Sequence, residues 1–425
     1  MKAILSHLKG DKIIWAMVFL LAFFSFMPVY SASTNLVYTV GSNSSSFGYL
    51  LKHFTHLTIG LVMMYLTHKI PYQRFRVISI LAIVVVVILL AFTAFQGKTI
   101  GGANANRWIY IPFVNVGFQP SSIASVVLLV YVAQYLASIR DTVVDFKEAL
   151  WWLWLPVFVV TGLILPANLS TAALIFMMVC MLVFIGKYPF KYLLRVGVVS
   201  VVLAGLFFLT AKAFPSIMPN RVDTWISRID RFTASEDEDT DLYQVENAQI
   251  AIAMGGLTGL GPGKSVQKNF LPQSSSDFIY AIIIEEYGLI IGGLGVLSVY
   301  LVLFFRFIRG AHKAPTLFGK LLIVGLGFYI IFQAFINMGV AVSLLPTTGQ
   351  TLPLISSGGT SIWMTCISLG IIVSVTKKEE EIKEEERIRI EKEEALQALI
   401  DKSILEREQE VLADTGNPMD AVRNK

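Results

Sequence analysis

Charge is scarce in this 425-residue chain: Asp, Glu, Lys and Arg make up 15% of it, where a soluble domain carries about a quarter. That shortage excludes an ordinary soluble globular protein. Cysteine is nearly absent as well. Cys180 and Cys366 both fall in apolar runs, which excludes a disulfide framework. No CxxC, no HExxH and no GxxxxGK[ST] occurs, so zinc metalloproteolysis and ATP-driven transport have no support. What is abundant is apolar. The hydrophobic share is 55%, the composition of a polytopic membrane protein.

Apolar runs long enough for about 30 Å of hydrocarbon read as Ile13–Tyr30, Tyr49–Leu66, Val77–Phe95, Ile123–Ala137, Leu153–Leu165, Thr171–Gly186, Val196–Phe214, Tyr287–Phe307, Leu321–Val340 and Ser361–Val375. The expected fold is therefore an all-α polytopic membrane protein of about ten transmembrane helices. A large, partly helical external loop joins the seventh and eighth. "PANLS" between the fifth and sixth runs reads as a tight turn. The first run has a basic lead, but "VYS" is a poor small-residue cleavage site, so it reads as a retained span. Lys and Arg crowd alternate short loops such as "HKIPYQRFR" and "KYPFKYLLR", while "SASTNLVYTVGSNSSS" carries none. This bias places both termini in the cytoplasm.

Two domains follow from charge. Residues 1–376 form the membrane body, with 215–276 as the large external loop. Residues 377–425 form a tail with 10 Lys+Arg against 15 Asp+Glu, a net −5 that leaves +9 for the body. In the tail, Glu and Lys or Arg recur three and four apart, the pattern of a solvated helix. In the large loop, Trp225, Ile226, Ile229 and Phe232 stand at helical spacing, and "LYQVENAQIAIAMGG" reads as a second helical stretch. The first set suits a helix lying on the membrane face.

Three carboxylates accompany the eighth run. Burying an ionised one in the bilayer costs at least ~2.5–3.5 kcal/mol, so each needs a wet cavity, a cation or a structural partner. Asp277 sits at the loop-to-helix boundary and reads either as a helix cap or as an acid facing a cavity. Glu285 and Glu286 are adjacent and point roughly 100° apart, so at most one shares a cavity with Asp277; the alternative is polar packing. Nearby cations are Arg107, Lys264 and Lys268. "GLGPGK" beside the lysines is either a diphosphate contact or a flexible turn. Trp108 is either an interfacial anchor or part of a site. "EDEDTD" reads as a hydrated loop. His53 and His56, three apart, lack the further ligands a metal requires and read as helix contacts.

Three blocks carry a resemblance: "GGANANRWI…FQPSSIAS", "YQVENAQIAIAMGGLTGLGPGKSVQKNFLPQSSSDFIYAIIIEEYG" and "LLPTTGQTLPLISSGGTS". They resemble the SEDS family, in its FtsW-type, cell-division branch. The resemblance spans roughly Ile13 to Val375. It implies a peptidoglycan glycosyltransferase of the inner membrane that polymerises lipid II at the outer face, at the septum, beside a class B penicillin-binding protein and other division proteins. It implies no nucleic acid and no organic cofactor. The residue matching the family's essential acid is Asp277, and Trp108 matches a functionally sensitive tryptophan. Arg107, Trp108, Lys264, Lys268, Glu285 and Glu286 are the expected contacts to lipid II and its diphosphate, with Mg2+ or Mn2+ as a further source of positive charge. Departures are "QPSSIAS", with Ser122 and Ser125 where relatives carry charge, "LPANLST" and "SSGGTS". A RodA-type elongation polymerase, a lipid II transporter and a docking scaffold are the competing expectations.

Overall fold

The computed structural model describes residues 8–39, 46–96, 108–111, 116–140, 145–213, 240–271, 274–377 and 379–414. They divide into two units, Met1–Thr376 and Lys377–Lys425. In the first unit the helices are α1 (Lys12–Thr39), α2 (Ser46–Lys69), α3 (Phe75–Gln96), α4 (Pro120–Ser138), α5 (Phe146–Ile164), α6 (Leu169–Ile185), α7 (Phe190–Ala213) and α8 (Thr240–Gly255). They continue as α9 (Ile279–Tyr287), α10 (Val296–Lys313), α11 (Leu317–Ala341) and α12 (Gly359–Val375).

Every apolar run has its helix. Among the described residues six stretches are long and apolar enough to cross a membrane, and α6 and α12 are apolar but shorter. The chain is a multi-pass membrane protein. Large apolar side chains point outward from the bundle, with Phe23 79% exposed and Leu81 and Val201 alike. In lipid such a surface carries no penalty, while the backbone is satisfied inside each helix.

Small residues set the helix contacts, as expected where lipid is as apolar as leucine. Along the seam of α2 and α12, a Cβ added at Gly370 would lie 2.8 Å from the Met64 carbonyl oxygen, and one at Gly60 2.9 Å from Cys366 Sγ. α11 is the most enclosed long helix. Gly325 makes room for Leu182 of α6, and Gly327 for the Phe307 ring of α10. At one end of the bundle Arg306 Nε donates to Asp11 Oδ2 at 2.8 Å, and the Asp11 amide donates to Thr376 Oγ1 at 3.1 Å. This joins α1, α10 and the end of α12.

Two features depart from expectation. Ile109–Ile111 and Val116–Phe118 form an antiparallel hairpin, β1 and β2, with Ile109 opposite Phe118; β-branched and aromatic residues suit it. The eighth helical stretch begins at Ile279, just behind Asp277, where the loop-to-helix boundary is expected. Gly288, at φ 75° and ψ 172°, then interrupts it. Gly288–Gly295 follows as a wide π turn before α10 resumes. The "PANLS" turn is tight: Asn168 caps α6 by accepting from the Thr171 amide at 3.2 Å.

Among the described residues the second unit holds one helix, α13 (Glu379–Asp414). It carries exposed pairs such as Arg389–Glu393 at 2.8 Å, which water screens.

Candidate active site

Asp277 lies in a turn, Ser274–Phe278, just before α9. It is not the helix cap: Phe278 holds that position, and no side chain caps it. The Asp277 side chain is half-buried. Its Oδ2 lies 3.4 Å from where a Cβ on Gly349 would stand. Gly349, at φ +67°, is a position where glycine costs least.

The backbone of this turn is held carbonyl by carbonyl. Ser357 donates to Ser275 O from its amide at 2.9 Å and its hydroxyl at 3.0 Å. Ser356 Oγ donates to Ser276 O at 2.6 Å. Asn337 Nδ2 donates to both Asp277 O and Gln350 O at 2.7 Å. The half-buried acid therefore sits on a main chain fixed by α11 and by the segment leading into α12.

Other quoted blocks converge here. Gln350 Nε2 donates to Thr171 Oγ1 of "LPANLST" at 2.8 Å. The Gln119 amide, just past β2, donates to Thr360 Oγ1 of "SSGGTS" at 3.2 Å. Gln333 Nε2 reaches Thr351 Oγ1 at 3.1 Å, and that hydroxyl meets Ser361 Oγ at 2.9 Å. Ser125 is fully buried and accepts from Tyr329 OH at 3.0 Å.

The glycine-rich stretch is not a flexible turn. It is welded to α9 through the backbone. The Leu260 and Gly261 amides donate to Glu285 O and Glu286 O at 2.9 Å, and the Leu289 amide donates to Gly256 O at 2.9 Å. A Cβ on Gly259 would strike the Glu286 carbonyl, and one on Gly288 the Leu257 carbonyl. Both residues have positive φ, so glycine is required twice over, by conformation and by approach.

Glu285 is fully buried. Its carboxylate accepts from Ser265 Oγ, from the Val266 amide at 2.8 Å and from the Gln267 amide at 3.2 Å. It thus caps the short turn Gln267–Asn269. Glu286, 1% exposed, accepts from Ser31 Oγ of α1. Lys268 Nζ donates to that same hydroxyl at 3.2 Å and to Gly263 O at 2.8 Å. Lys264 is exposed, and Trp108 is half-buried at the entry to β1. Arg107, Trp225, Ile226, Ile229, Phe232 and most of "EDEDTD" lie outside the described residues. His53 Nε2 meets Ser25 Oγ at 2.9 Å, and His56 stacks edge-on against Trp363; both are helix contacts.

A family model described as cell cycle protein, embracing FtsW, RodA and SpoVE, matches residues 11–381. The chain belongs to that family. It is 33% identical over 338 residues to a probable peptidoglycan glycosyltransferase FtsW of Hydrogenovibrio crunogenus, covering 77% of this chain and 82% of that one. The probable peptidoglycan glycosyltransferase FtsW of Coxiella burnetii is 29% identical, with 86% and 96% covered. Among solved structures, one from work on "structural coordination of polymerization and crosslinking by a peptidoglycan synthase complex" superposes with a TM-score of 0.65 at 26% identity, covering 86% of this chain and 97% of that chain.

For this family member, sequence reasoning missed Asn337, Gln350 and Ser31. Asn337 and Gln350 were visible only as polar residues in or beside an apolar run. A buried amide in a membrane helix is costly unless it bonds, and that was the available signal.

Proposed function

We infer that this FtsW/RodA/SpoVE family member is a peptidoglycan glycosyltransferase that joins lipid II units into glycan strands, with Asp277 as the general base. Asp277 takes the proton of the GlcNAc 4-hydroxyl on incoming lipid II. That oxygen attacks the anomeric carbon of the growing strand's terminal MurNAc. The new C–O bond forms as the bond to diphosphate breaks, and undecaprenyl diphosphate leaves. Attack opposite the α-linked diphosphate gives a β-linkage.

One observation carries the reading. Asp277 combines a half-buried carboxylate with a backbone anchored at three successive carbonyls, the arrangement of an acid held in place for chemistry. The leaving oxygens gain negative charge and need cations. Lys264 is exposed for this role, with Arg107 and Trp108 as further substrate contacts. Mg2+ or Mn2+ carried by the substrate's diphosphate would add positive charge. Among the described residues no group of three or more His, Cys, Asp or Glu gathers to hold a metal.

The family member works in the inner membrane at the division septum, beside a class B penicillin-binding protein that crosslinks what it polymerises, and among other division proteins. Ten crossings are proposed; an even number returns both termini to the cytoplasmic side, where Lys and Arg concentrate. The test is polymerisation of fluorescent lipid II by the purified protein. Asp277→Asn should lose about 10²–10⁴-fold in rate at unchanged membrane abundance. Polymer formed at the parent rate overturns the assignment.

A further inference from the structure

We propose that Ser31, Glu286 and Lys268 form a positioning cluster that holds the segment leading to Asp277 against α1; the proposal rests on reading Asp277 as the base. Three elements meet here: α1, the glycine-rich segment and α9. The Ser31 hydroxyl donates a hydrogen bond to Glu286 and accepts one from Lys268 Nζ at 3.2 Å. Ammonium, hydroxyl and carboxylate are thus aligned in one sense. The carboxylate is 1% exposed, and the ammonium reaches it through the Ser31 hydroxyl.

The next residue of α1 extends the grip. Ala32 O accepts from Ser274 Oγ at 3.4 Å. Between Lys268 and Ser274, Leu271 is fully buried and its amide donates to Gln267 O at 3.0 Å. The segment is therefore held at 268, 271 and 274, three residues short of Asp277. Displacement of α1 at Ser31–Ala32 passes directly to the acid. Glu285 does different work: its partners, Ser265, Val266 and Gln267, all lie in the glycine-rich segment, and α1 is not among them. The two adjacent glutamates share the task, one fixing the segment to α9 and the other adding α1.

The same geometry gives Lys268 a role other than diphosphate contact. Its ammonium is engaged by Ser31 and Gly263 O.

The test uses the purified full chain and fluorescent lipid II, with Asp277→Asn run alongside. Glu286→Gln, Lys268→Met and Ser31→Ala should each lower kcat by about 10- to 100-fold with KM for lipid II within about twofold, since positioning acts on the transition state. Ser31→Thr should restore the rate. Glu286→Gln with Lys268→Met should be no slower than the worse single variant, as expected of residues acting as one unit. Lys268→Met and Ser31→Ala keep the test open should Glu286→Gln fail to fold. Parent-like kcat in Lys268→Met and Ser31→Ala, with Asp277→Asn inactive, overturns the cluster and leaves the base assignment standing. A raised KM at unchanged kcat in Lys268→Met also overturns it, making Lys268 a substrate contact. An active Asp277→Asn overturns the base assignment and, with it, the purpose given to the cluster.

Discussion

Asn337→Leu removes the amide that bonds two carbonyls at once, Asp277 O and Gln350 O, both at 2.7 Å. Asn337 itself is 1% exposed and its bond to Gln350 O is buried, so water has little access to replace the lost donors. An orphaned buried carbonyl costs about 1–3 kcal/mol. The amide's own oxygen has no hydrogen-bond partner among the described residues, and its removal returns part of that cost. A net of about 2–4 kcal/mol remains, equivalent to a factor of about 30–900 in the population of the held loop. Ser356 and Ser357 still anchor the neighbouring carbonyls, which brings the expected loss in kcat to about 10- to 100-fold. The assay is lipid II polymerisation by equal amounts of purified protein, with thermal unfolding in detergent measured alongside. Parent kcat in a folded Asn337→Leu protein would refute the argument that the Asp277 backbone must be anchored from α11.

Two other outcomes follow from the same geometry. Gly259→Ala adds a Cβ at φ +80° that collides with the Glu286 carbonyl, whereas Gly263→Ala at φ +78° meets open space; unfolding should show a loss of more than about 2 kcal/mol for the first and about 1 kcal/mol for the second. Lys264→Ala should leave the unfolding midpoint in place and raise KM for lipid II up to about fivefold, the scale of an exposed charge contact.

Much of the fold was legible because hydrophobic length and loop charge act locally. A run such as Val77–Phe95 has no option in a bilayer except a helix. Gly288 was legible only as a glycine. Its positive φ, which ends α9, answers a close approach by Leu257, thirty-one positions earlier. The same applies to "GLGPGK". Its glycines read as a diphosphate contact or a flexible turn, and the structure places Gly259 and Gly261 in backbone contact with α9. The hairpin at Ile109–Phe118 escaped notice because two three-residue strands are too short for periodicity to register.

By composition and pattern alone the chain determined its solvent, its helices, its family and which acidic residues required a reason. It did not assign a separate task to each acid. Asp277, Glu285 and Glu286 lie within ten positions of one another, yet the backbone carbonyl of the first is held by Asn337, the carboxylate of the second by Ser265 to Gln267, and that of the third by Ser31. Hydrogen bonds between residues 60 to 255 positions apart depend on how the helices assemble. Only the tertiary structure separates a half-buried acid from two buried ones that each have partners of their own.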